Sequence, residues 1–89
     1  DFWASWCGPC DIQTHILDEF AAKYADEVQV IKVEVDKAPL LQERFDIANI
    51  PTMVVFVDGK EQDRLVGARP MQQLEKDLAS FTDVETKVE

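Results

Sequence analysis

The chain has 89 residues, a net charge of −9 at neutral pH and 46% hydrophobic residues, which suits one small domain with its own core. The acidic balance argues against binding to phosphate backbones or anionic membranes, and the sequence shows neither a secretory signal pattern nor an apolar run of transmembrane length. Three glycines and four prolines argue against low complexity, and two cysteines close together argue against a structural disulfide framework.

Asp1 to Ala4 has the character of a strand end. A helix is expected from about Cys7 to Tyr24, with Ile12, Ile16, Phe20 and Tyr24 on its apolar face and Leu17 and Ala21 beside them. Val28 to Val35 is rich in β-branched residues and reads as a well-buried strand. A short helix using Leu40, Leu41 and Phe45 is expected after Pro39, and Ile50-Pro51-Thr52 interrupts the pattern. Met53 to Val57 is a continuous apolar strand, Asp58-Gly59 a two-residue hairpin turn, and a more polar strand ends near Val66 at Gly67. Pro70 suits the first turn of a last helix with Met71, Leu74, Leu78 and Phe81 on its inner face. The expected domain is 1–81, followed by a polar tail over 82–89. Helix–strand alternation ending in a hairpin predicts an α/β fold with a mixed sheet flanked by helices on both faces.

Both cysteines lie in Trp6-Cys7-Gly8-Pro9-Cys10, at the expected helix start. Two thiols at this spacing can close a small disulfide ring or contribute to a metal site. Backbone N–H groups and the helix dipole stabilise a thiolate at a helix N-terminus. A zinc site would need two more ligands, and His15 is the only histidine, so the residues favour redox chemistry with no metal and no other cofactor.

Taken together, Asp1-Phe2-Trp3-Ala4, Trp6-Cys7-Gly8-Pro9-Cys10, Ile50-Pro51-Thr52, Asp58-Gly59 and Val66-Gly67-Ala68 resemble the thioredoxin family in order and spacing, from Asp1 to about Phe81. The resemblance implies a thioredoxin-like mixed β-sheet that is N-terminally truncated. In the family a strand, a helix and most of another strand precede the position of Asp1. That second strand lies between the partners of Val28–Val35 and Met53–Val57, so the remaining strands are expected to pair directly, borrow a strand or leave edges open. His15 stands where many members have a helix-kinking proline, and Asp11 where a lysine is common.

The resemblance also implies a division of labour. Cys7 would be the nucleophile that attacks a protein disulfide, and Cys10 would resolve the mixed disulfide. Gly8-Pro9 places no positive charge between them, which points to a reductant rather than an oxidant or isomerase. Pro51 would be a cis proline facing the disulfide, with Ile50 beside it pairing with extended substrate. Asp1 would be a buried carboxylate behind Cys10 that helps it lose its proton, paired with Lys32; a chain-start α-ammonium would favour its ionised form. Trp6 would shape the substrate surface. Trp3 would pack under the cysteine loop with its indole N–H on Asp36, and Gly67 would let a substrate backbone approach. His15 is expected to be a helix-surface residue.

The function expected is reduction of protein disulfides through a CGPC dithiol cycle, recharged by a thioredoxin reductase, in the cytoplasm. The alternatives are an anchored periplasmic thioredoxin-like reductant, a non-catalytic binding module, and a dimer holding metal or an iron–sulfur cluster through four cysteines. The chain is expected to be a monomer or a strand-swapped dimer of marginal stability, with no nucleic acid and no membrane as partner.

Overall fold

A computed structural model describes residues 1–82. The elements in chain order are β1 (Phe2–Trp3), α1 (Gly8–Lys23), β2 (Val33–Glu34), a 3₁₀ turn over Val35–Lys37, α2 (Pro39–Arg44), β3 (Thr52–Val57), β4 (Lys60–Val66), α3 (Met71–Asp77) and a second 3₁₀ turn over Ala79–Phe81. The residues expected to form a tail lie outside the described residues from 83 onward.

The four strands form one mixed sheet in the order β2-β1-β3-β4. β1 runs parallel to β2, pairing Phe2 with Val33 and Trp3 with Glu34, and antiparallel to β3, pairing Phe2 with Thr52. β3 and β4 form the expected hairpin. Asp58 and Gly59 both take positive φ, 53° and 79°, as a tight turn matched to strand twist requires. A register shift between Val55 and Phe56 leaves Gln62 as the extra residue on β4.

The core has two parts. One contains Leu17, Phe20 and Tyr24 of α1, Met53 and Leu65 of the hairpin, and Leu74 and Leu78 at the C-terminal helix. The other holds Phe2, Ala4, Cys7, Cys10, Val35 and Ile47, with Trp3, Phe45, Ile50 and Val54 packed against it. Adjacent residues Met53 and Val54 fall in different clusters, because successive strand side chains point to opposite sides of a sheet. The cysteines therefore belong to the second cluster, at the end of the sheet where α1 begins.

Two expectations are corrected. Val28 to Val35 is not a well-buried strand. Only Val33 and Glu34 join a ladder, and Gln29, Ile31 and Lys32 are exposed. The neighbouring strand β1 has two residues and reaches no further along this segment. The flanking strands neither pair directly nor close up. A cavity of about 600 Å³ lies between them, lined by Phe2, Val28, Val30, Met53 and Val55 among others. The apolar face of α1 is also rotated. Ile12 is 61% exposed and Ile16 half-buried, whereas Gln13 is fully buried in line with Cys10, Leu17, Phe20 and Tyr24.

Candidate active site

The start of α1 is built by its own sequence. Pro9 lies in the first turn, where its missing N–H costs no intrahelical bond. Cys7 is the N-cap, extended at φ −100° and ψ 106°, and its Sγ accepts the Cys10 backbone N–H at 3.2 Å. The preceding turn is closed by the Cys7 N–H donating to Ala4 O at 3.2 Å. Cys7 and Cys10 are joined in a disulfide with their Cα atoms 5.2 Å apart. The two residues differ in burial: Cys7 retains 8% exposure and Cys10 none. A nucleophile must meet its partner while a resolving thiol need not, so this asymmetry suits attack by Cys7 and resolution by Cys10.

The proline loop reaches Cys7, and the loop after β4 is tied to that loop. The Ile50–Pro51 peptide bond is cis, as the sequence pattern anticipated, and Ile50 O lies 3.9 Å from Cys7 Sγ. The Gly67 N–H donates to Pro51 O at 2.8 Å, which ties the loop after β4 to the proline loop. Gly67 has φ +91°, and a Cβ built there would meet only Arg69 Nη1, at 3.9 Å. The protein itself leaves that space open. Trp6 is 69% exposed and stands beside the disulfide in sequence, while Gly8 and Pro9 are exposed at the helix tip.

The sequence model of the thioredoxin family matches residues 1–80. The chain belongs to the thioredoxin family. It is 46% identical over 79 residues to the thioredoxin of Alicyclobacillus acidocaldarius, covering 89% of this chain and 75% of that one. It is 44% identical over 78 residues to thioredoxin 1 of Synechococcus elongatus, covering 88% and 73%. Among solved structures it resembles Deadhead, the germline-specific thioredoxin of Drosophila melanogaster, with a TM-score of 0.85 at 32% identity over 92% of this chain and 77% of that one. It also resembles the thioredoxin NaTrxh of Nicotiana alata, with a TM-score of 0.84 at 35% identity over 92% and 70%. The thioredoxin family and the Cys7–Cys10 pair together make this chain a thiol–disulfide oxidoreductase with a redox-active disulfide.

Other residues singled out from the thioredoxin resemblance fall into place unevenly. Trp3 packs against the cluster containing both cysteines, as expected. Its expected partner is wrong: Asp36 Oδ2 accepts from the Trp6 indole, Nε1, at 2.7 Å. Asp36 follows β2 in the 3₁₀ turn, and from there it holds the exposed Trp6 ring in place. Lys32 does not pair with Asp1. Its Nζ lies 2.6 Å from Asp18 Oδ1 on α1, because residue 32 is exposed toward that helix. Both carboxylate oxygens of Asp1 are buried and have no hydrogen-bond partner among the described residues. The Asp1 backbone nitrogen donates to Ile31 O at 2.8 Å. His15 is a surface residue, 4.0 Å from Asp11.

The sequence reading missed Gln13 and Arg69. Gln13 Oε1 accepts the Arg69 backbone N–H at 2.5 Å, and Gln13 Nε2 donates to Arg69 O at 3.3 Å. The available signal was Gln13's spacing from Cys10 and Leu17, at i+3 and i−4, which puts a polar residue on the stripe that turns inward.

Proposed function

We propose that the chain is a reductant of protein disulfides. The Cys7 thiolate attacks one sulfur of a substrate disulfide, forming a mixed disulfide and releasing the other substrate sulfur as a thiolate. The Cys10 thiolate then attacks Cys7 Sγ, expelling the second substrate thiol and closing the Cys7–Cys10 bond. Two electrons from a separate reductase reopen that bond. The observation that carries this reading is the N-cap position of Cys7, where its sulfur accepts the Cys10 N–H, Cys7 being the less buried residue of the pair. No positive residue lies between the cysteines to make the pair more oxidising, which supports a reducing direction.

The same reading assigns the remaining roles. Asp1 takes the Cys10 proton, supported by its buried, unpartnered carboxylate. Lys32 has no part in that step, since it is engaged by Asp18. Trp6, Gly8, Pro9, Ile50, Pro51 and Gly67 form the substrate face, and Trp3 and Asp36 support it. The functional domain spans 1–81, acts in the cytoplasm on oxidised proteins, and is a monomer or a strand-swapped dimer.

Replacing Cys7 by serine should abolish reduction of insulin disulfides by the dithiothreitol-charged protein, a loss of at least about a hundredfold. Cys10→Ser should still attack but stall as a mixed disulfide, visible by intact mass. Turnover retained in Cys7→Ser would remove Cys7 as the nucleophile.

A further inference from the structure

We propose that Gln13 is a positioning residue for substrate: its buried amide clamps the Gly67–Pro70 loop to the redox helix and sets how far that loop stands from the sulfurs. The amide binds both sides of one residue, accepting from Arg69 N and donating to Arg69 O. Gln13 lies three residues after Cys10 on α1, so the clamp links the loop to the same rigid turn that carries the disulfide. Burying an amide is unfavourable unless its hydrogen bonds are met, and here one loop residue meets both.

The loop needs an anchor. Gly67 has the conformational latitude of a residue without Cβ at φ +91°, and Pro70 has no N–H to offer. Its attachments come from three directions. The Gly67 N–H reaches Pro51 O on the proline loop. Arg69 backbone reaches Gln13 on α1, and Arg69 Nε reaches Asp77 on α3 at 3.0 Å. The Arg69 guanidinium also donates to Val66 O at 3.2 Å. Of these, the Gln13 clamp is the direct tie between the loop and the helix of the cysteines. An apolar residue of the same length would leave the Arg69 N–H and C=O unmet inside the protein, and the loop would drift outward to find water. Chemistry at the sulfurs would be intact, but an extended substrate would find one wall of its site displaced.

The inference rests on Gly67 belonging to the substrate face, so the test separates the two. Gln13→Met keeps length and flexibility and removes both hydrogen bonds. Its KM for insulin should rise about fivefold or more while kcat stays within about twofold, as expected when binding alone is weakened. Its reaction with 5,5′-dithiobis(2-nitrobenzoic acid), too small to need the loop, should be unchanged. An unchanged KM would overturn the proposal. Parallel loss with insulin and the small disulfide would also overturn it, since Gln13 would then act on the dithiol itself. A wild-type protein that reacts with the small disulfide and fails on insulin would instead strike the proposed substrate face. If Gln13→Met does not fold, amide hydrogen exchange in the wild type decides: the Arg69 N–H should be protected well beyond an ordinary loop amide, and fast exchange there would refute the clamp.

Discussion

At the scale of single residues, the site depends on what each buried polar atom touches. Cys7 has a backbone donor on its sulfur, and a donor at a helix start favours the thiolate. Asp1 has no hydrogen-bond donor on its buried carboxylate oxygens among the described residues, which supports the proton-accepting role proposed for it. If Asp1 takes the Cys10 proton as proposed, Asp1→Asn should prolong the mixed disulfide about a hundredfold at neutral pH, the lower end for a positioned base, without slowing the first attack by Cys7. Stopped-flow measurement of both phases checks this, and equal decay in the two proteins would take Asp1 out of the mechanism. The misassigned Asp36 shows the limit of reading a partner from sequence. Trp3 lies in β1 and Trp6 just before α1, and only the placement of the 3₁₀ turn that follows β2 decides which indole Asp36 reaches.

At the scale of elements, helix boundaries and the hairpin were legible because their signals are local. Pro9, Pro39, Pro70 and Asp58-Gly59 each act through their own backbone preferences, and the helices and the turn formed beside them. The orientation of α1 was not legible. Ile12 looks apolar enough to face the core, but the core it would need is not on that side. Helices α1 and α3 meet through Leu17, Phe20, Leu74 and Leu78, and at their rim Glu75 accepts from Lys23 Nζ at 2.7 Å and from the Tyr24 hydroxyl. The hydrogen bond from Lys23, then that from Tyr24, hold the Glu75 carboxyl below its ordinary 4.5. A carboxyl lowered on folding stabilises the protein above its unfolded value and loses that contribution as pH falls through the folded value. Glu75→Gln should thus lower the Tm by a few degrees at most at pH 7, since the Lys23 side of the pair is in solvent. The difference should close as the pH drops below about 4.5. A gap that persists at acid pH would mean the loss is one of packing.

At the scale of the whole molecule, two features stand outside the site. The net charge of −9 favours partners with basic surfaces and sets a salt-dependent encounter rate. The cavity between residues 28–33 and β3 is bordered by apolar side chains, and Ile31, Phe56 and Val57 are substantially exposed.

The sequence by itself determined the chemistry and the order of elements: the cysteine pair at a helix start, the Ile50-Pro51-Thr52 interruption, and the hairpin turn are encoded in adjacent residues and act over a few bonds. Tertiary structure alone decided which partners those groups find. Lys32 joining Asp18, Trp6 joining Asp36, and Gln13 turning inward to grip Arg69 each join residues between 14 and 56 positions apart, and contacts of that range exist only once the helices and sheet have packed.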